Sequence, residues 1–226
     1  MYNLLLSYEY TMNKSHKKIL LILLSGVLLG TASSLGDVLP FGSLLYIIGG
    51  FLNTASVWSL SAFLIGTQFK SRKNSIIFSI SFLSLSVLSY YIVGYLWGNR
   101  GEVPLITLVS TALSWIFIGI FIGALCGLSA RTAKHTKNLR KRIIAMIIPM
   151  AIILTESTIS LIQLLPYLNL NSNNYIPFLM MVLLFISACG IPFIIFKNRR
   201  VAVYTLILAL LISSAGSLLL ITISNL

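Results

Sequence analysis

A chain of 226 residues that is 58% hydrophobic and only 9% charged, with a mean hydropathy of +0.98, cannot coat itself with a water-facing surface; soluble domains carry about a quarter charged residues. The formal charge of +12 invites a nucleic-acid partner, but the basic residues fall in clusters before or between apolar segments, the footprint of membrane topology and of contact with anionic lipid. Composition therefore excludes a soluble or nucleic-acid-binding protein and predicts an all-α, single-domain integral membrane protein whose first partner is the lipid bilayer.

In chain order, residues 1–18 read as a basic cytoplasmic amino terminus carrying Lys14, Lys17 and Lys18, and the first span is expected over 19–35. The stretch "KKILLILLSGVLLGTA" also has the basic, apolar and small-residue parts of a signal peptide, with a cleavage point after Ala32. We read it as an uncleaved anchor; cleavage would leave six spans in the same orientation. The second region, 38–69, is too long for one straight span. Its 32 residues would extend ~48 Å as helix against a hydrocarbon core of ~30 Å. Pro40, the Gly49–Gly50 pair and Asn53 interrupt it, so a short helix near 42–51 and a span near 54–69 are predicted. Broken helices are tolerated where backbone is buried in protein or lines a cavity, and they mark many transporter sites. Further spans are expected over 75–97, 104–129, 143–165, 177–196 and 201–224. With the amino terminus in the cytoplasm, 15 of the 16 Lys and Arg residues lie inside and Arg100 alone lies outside. Seven helices with the amino terminus in and the carboxyl terminus out is the predicted topology.

One acidic residue stands out. Glu156 lies inside "IILTESTISLIQLLP" in a chain with only four acidic residues. Ser160 and Gln163, at i+4 and i+7, share its helical face. That stripe is costly against lipid and should face the bundle or a watery cavity. Burial disfavours the charged carboxylate, so Glu156 is expected to be protonated unless a cation or a hydrogen-bond donor is near. It reads either as a proton- or cation-responsive group or as a structural one bonded to neighbouring hydroxyls.

In "WIFIGIFIGALCG" the steps of four from Trp115 through Gly119, Gly123 and Gly127 place all four on one face, and the glycines read as a helix-packing seam. Trp115 lies near the membrane midplane, away from the interfacial belts where membrane tryptophans concentrate. Tyr91 falls at a similar depth, ~9 Å below the outer end against ~13 Å for Glu156. Carboxylate, tyrosine and tryptophan at one depth read either as a cage for an organic cation or simply as core packing. Asn53, at the break, is a further candidate lining residue, whereas Asp37, nearby on the outer side, reads as a solvated loop acid. Cys126 and Cys189 lie in apolar segments without metal-ligand spacing and read as small hydrophobes. No His-Glu-x-x-His, Gly-x-Ser-x-Gly or P-loop occurs. The sequence is therefore read as a non-enzyme, with no catalytic residues, metal site or cofactor.

Five stretches together carry a resemblance: "TASSLGDVLP", "NTASVWSLSAFLIG", "SYY" before "GYL", "WIFIGIFIGALCG", and "TES". Over roughly residues 20–165 the chain resembles a family of small bacterial multi-pass membrane proteins catalogued as a domain of unknown function. That family usually shows Gly-Tyr-Tyr where this chain has Ser89, Tyr90 and Tyr91. The resemblance implies a bacterial membrane location and no known activity.

The expected function is binding or transport of a small solute, with an organic cation or a proton as candidates, at the bacterial cytoplasmic membrane, with Glu156, Gln163, Ser160, Trp115, Tyr91 and Asn53 around the solute. The alternative is a non-transporting partner: an immunity, sensor or assembly protein, or the permease subunit of an ATP-driven exporter. It would dock through the basic cytoplasmic loop 131–142, "RTAKHTKNLRKR".

Overall fold

A computed structural model describes the backbone of residues 2–39, 44–97, 103–165, 175–196 and 198–224. The described residues form eight helices: α1 (Tyr2–Val38), α2 (Leu44–Leu52), α3 (Ala55–Gly66), α4 (Arg72–Trp97), α5 (Leu105–His135), α6 (Leu139–Leu164), α7 (Tyr175–Ile195) and α8 (Arg199–Ser224). Six are long and apolar enough to cross a membrane, or seven if α2 and α3 count as one broken span. The break at Asn53 and Thr54 turns the chain by 61°. Pro40, one of the expected interruptions, lies outside the described residues.

Three expected boundaries shift. The basic amino-terminal segment does not stand apart from the first span, because α1 is one helix from Tyr2 and its apolar part begins at His16. The span near 54–69 is only a half-span. With 12 residues α3 is ~18 Å long, and Thr67 closes it. Most of the 131–142 loop is helical, since α5 continues to His135 and α6 starts at Leu139, capped by Asn138 Oδ1 accepting from Lys141 N at 3.2 Å.

The half-span is held from all sides by small residues. Its buried face, Ser56, Ser59, Ala62, Phe63 and Gly66, packs against α4, α5 and α6. Serine hydroxyls on α4 tie it down: Ser79 Oγ donates to Ala62 O at 2.8 Å, and Ser75 Oγ lies 2.8 Å from Gly66 O and 2.6 Å from Gly127 O of α5. In hydrocarbon, hydroxyl-to-carbonyl bonds and close backbone approach replace the missing hydrophobic drive between helices. The glycines on α5 permit that approach to different degrees. A Cβ on Gly127 would fall 2.5 Å from Ser75 O, and one on Gly123 2.9 Å from Ile80 Cα, whereas one on Gly119 would meet nothing nearer than 3.7 Å. Across α1 and α2, Gly36 and Gly49 touch backbone to backbone.

Basic residues gather at the end where α3 stops. Lys18 Nζ donates to Gln68 O at 2.8 Å and lies 4.6 Å from the Phe69 ring centroid; Arg131 Nε donates to Lys70 O at 3.3 Å. Arg142 donates from Nε to Ala133 O at 2.9 Å and from Nη2 to Ile195 O at 3.4 Å, with its guanidinium over Phe196. Because α3 fills only the half of the bundle next to this basic end, the far half of α5 has little packed on it, and Leu105, Ile106, Leu113 and Phe117 are exposed.

Candidate functional site

The start of α3 lies inside the bundle, and a helix start carries backbone N–H groups without intrahelical partners. Thr54 is the N-cap: its Oγ1 accepts from Val57 N at 3.3 Å and donates to Phe51 O at 2.9 Å. Glu156, reaching in from α6, takes two more. Ala55 N donates to Oε1 at 2.9 Å and Ser56 N donates to Oε2. The carboxylate sits where the helix dipole favours negative charge. The donors around it are thus backbone amides, and the Glu156 carboxyl group caps the half-helix.

A cavity of about 290 Å³ opens beside this cap. Of the six residues singled out from the sequence, Asn53, Tyr91, Trp115 and Glu156 line it. Ser160 instead lines a second cavity on the other side of Glu156. Gln163 is exposed and lines neither. Its helical phase matches that of Glu156, but the buried stripe of α6 ends at Ser157, because α3 begins there and covers nothing beyond.

The first cavity also has lining residues that the sequence does not mark as binding residues. Trp58 and Tyr90 join Tyr91 in an aromatic row, with Trp58 and Tyr90 centroids 6.3 Å apart and edge-on, and Tyr90 and Tyr91 5.2 Å apart. Trp58 is fixed by its Nε1 donating to Leu52 O at 2.7 Å, across the break. Ser59 Oγ, on the cavity wall and 1% exposed, has no hydrogen-bond partner among the described residues. A buried hydroxyl without a partner costs free energy unless water or ligand completes it. The small-residue spacing of Ser56, Ser59 and Ala62 was the available signal for this face. Asp37, expected to be a solvated acid, instead accepts from the Tyr90 hydroxyl, while Asn53 Nδ2 lies 3.5 Å from Asp37 Oδ2 and 3.4 Å from Tyr90 Oη. It is exposed, yet it anchors two residues of the cavity wall to the end of α1.

Among the described residues no Lys, Arg or His lines this cavity, and Glu156 is the acidic residue on its wall. At the basic end, Arg131 and Arg142 are engaged with carbonyls, whereas Lys134, Lys137, Arg140 and Lys141 are exposed.

No curated protein and no solved structure matches the chain. The model of a Family of unknown function (DUF6518) matches residues 10–226. That match takes in the basic segment before the first span, the broken half-span with its carboxylate cap and the helices beyond residue 165, so the chain belongs to the family of unknown function DUF6518.

Proposed function

We propose that the protein binds a small organic cation in the aromatic cavity and moves it across a bacterial cytoplasmic membrane. The observation that carries this reading is a cavity whose described lining has the Glu156 carboxylate, no basic side chain and the rings of Trp58, Tyr90, Tyr91 and Trp115. Aromatic faces attract cations, by about 0.5–2 kcal/mol each when the site is desolvated. An anionic solute would need the start of α3, and Glu156 already occupies it. The unpartnered Ser59 hydroxyl offers an acceptor to an ammonium N–H, which favours a protonated amine. The orientation belonging to this reading has the basic end of the bundle in the cytoplasm, amino terminus inside and carboxyl terminus outside.

The test is titration of the protein in lipid nanodiscs with benzylammonium, using benzoate as an anion of the same shape. Trp58 and Trp115 supply the fluorescence signal, with Trp97 replaced by Phe. Benzylammonium should bind and benzoate should not. Trp58→Leu and Trp115→Leu should each weaken binding about 2- to 30-fold, read by calorimetry. Equal binding of the two probes, or no effect of either substitution, would sink the reading. Uptake of labelled amine into proteoliposomes then separates transport from binding alone.

One observation favours a second reading, a non-transporting partner docked at the basic end. Lys134, Lys137, Arg140 and Lys141 are exposed at the meeting of α5 and α6 and, among the described residues, make no carbonyl contact like those of Arg131 and Arg142. Replacing the four by Gln should release a co-purifying partner while leaving the topology unchanged.

A further inference from the structure

Glu156 and Ala55 line two cavities at once. The second, about 470 Å³, lies between α6 and α8, on the far side of the carboxylate from the aromatic row. Apart from Glu156, Thr155 and Ser160, its walls are hydrocarbon, chiefly Ile152, Ile159 and Ile212. Thr155 Oγ1 faces the Ser213 carbonyl at 3.5 Å, so it adds little polarity. Ile212 is 50% exposed, which opens this cavity on the lipid-facing surface of α8. One carboxylate thus stands between an aromatic chamber and an apolar chamber open to the side.

We propose that the ligand is an amphipathic cation, an ammonium head with a hydrocarbon chain, whose head meets Glu156 while its chain lies along Ile152, Ile159 and Ile212. The inference rests on the cation reading above and names the class of cation. Neither cavity explains such a ligand alone. The aromatic one has the rings for a head, but its apolar residues Leu83, Val87, Ile118 and Ile122 share about 290 Å³ with them, and the larger lateral one has room for a chain but, among the described residues, draws its charge from the shared Glu156. A chain moving from lipid into the lateral cavity changes one apolar surrounding for another, so its binding depends on shape and on the tether to the head. Filling the cavity therefore discriminates against the long chain and spares the short one.

Gly216 offers the place to fill it. A Cβ there would meet nothing nearer than Thr155 Oγ1 at 3.4 Å, an ordinary contact, and Gly216 lines the lateral cavity, so a longer side chain has that space to occupy. In nanodiscs of one lipid composition, Gly216→Leu should weaken dodecylammonium at least tenfold and leave butylammonium within about twofold of wild type. Affinities are read by competition against benzylammonium. Using one lipid composition cancels partition of the long chain into the bilayer. Ile212→Trp, which narrows the cavity at its opening, should act in the same direction, and it decides the matter if Gly216→Leu does not fold. Unchanged dodecylammonium affinity in a folded variant overturns the proposal. So does an equal loss for both amines, which would mean that the lateral cavity only supports the head site. Failure of the underlying cation reading looks different: wild type would bind neither amine, or would bind dodecanoate as well as dodecylammonium, and this inference would fall with it.

Discussion

Removing the Glu156 carboxylate should unfasten α3 at its start. In Glu156→Ala, the N–H groups of Ala55 and Ser56 lose both acceptors inside the membrane. A hydrogen bond to a charged acceptor contributes about 1.5–3 kcal/mol, and a negative charge at a helix start adds about 0.3–1 kcal/mol. The Ala variant should therefore lose roughly 3–7 kcal/mol. Glu156→Gln keeps one oxygen for one of the two donors but turns an amide N–H₂ toward the other, so its loss should be smaller, roughly 1.5–3 kcal/mol. The assay is reversible unfolding in mixed micelles, with amide hydrogen exchange read at Ala55 and Ser56. Exchange at those amides should rise in the order wild type, Gln, Ala, ahead of any change in α8, which shares no hydrogen bond with this cap. A Gln variant as stable as wild type, with exchange at 55 and 56 unchanged, would refute the capping argument. The graded order also separates capping from charge alone, since loss of charge by itself would make Gln and Ala equivalent.

Three further outcomes follow from the packing. Gly127→Ala should cost about 1–3 kcal/mol because its methyl meets the Ser75 carbonyl, whereas Gly119→Ala should be neutral or stabilising by up to about 1 kcal/mol; unfolding midpoints of the two variants should diverge. A double-mutant cycle of Asp37→Asn with Tyr90→Phe should return a coupling of about 1 kcal/mol, and a value near zero would return Asp37 to the role of a solvated acid. Arg142→Lys should destabilise by about 1–2 kcal/mol by losing the fork to Ala133 and Ile195, while Arg140→Lys on the exposed side should leave the midpoint unchanged.

The membrane class and the broken second region were legible because length, hydropathy and chain breakers report directly on spanning and interruption. The 32 residues over 38–69 could not form one straight span, and Asn53 and the Gly49–Gly50 pair lie at or beside the 61° turn. Glu156 was legible as an anomaly but not as a cap. Its partners are the amides of Ala55 and Ser56, which every residue but proline possesses, and nothing in side-chain identity announces them across 101 positions. Gln163 misled for the opposite reason: helical phase tells which residues share a face, not how far the neighbouring element reaches along it. Asp37 lies beyond Leu35, the expected end of the first span, and so reads as loop from the sequence; α1 instead runs through Val38 and brings the carboxylate to Tyr90. Ser59 gave no warning, since an unpartnered hydroxyl is a property of the assembled bundle.

The half-span has a consequence for how the chain is made. α3 is too short to cross the bilayer alone, and the acceptor for its first amide lies 101 residues later in the chain. At roughly 5–20 residues per second of synthesis, α3 waits on the order of 5–20 s before α6 emerges to close it. During that interval the amides at its start need shelter from hydrocarbon, which water or the insertion machinery can give. Insertion of this protein is therefore a delayed closure, in which the second region enters early and takes its final depth only after the sixth helix has arrived.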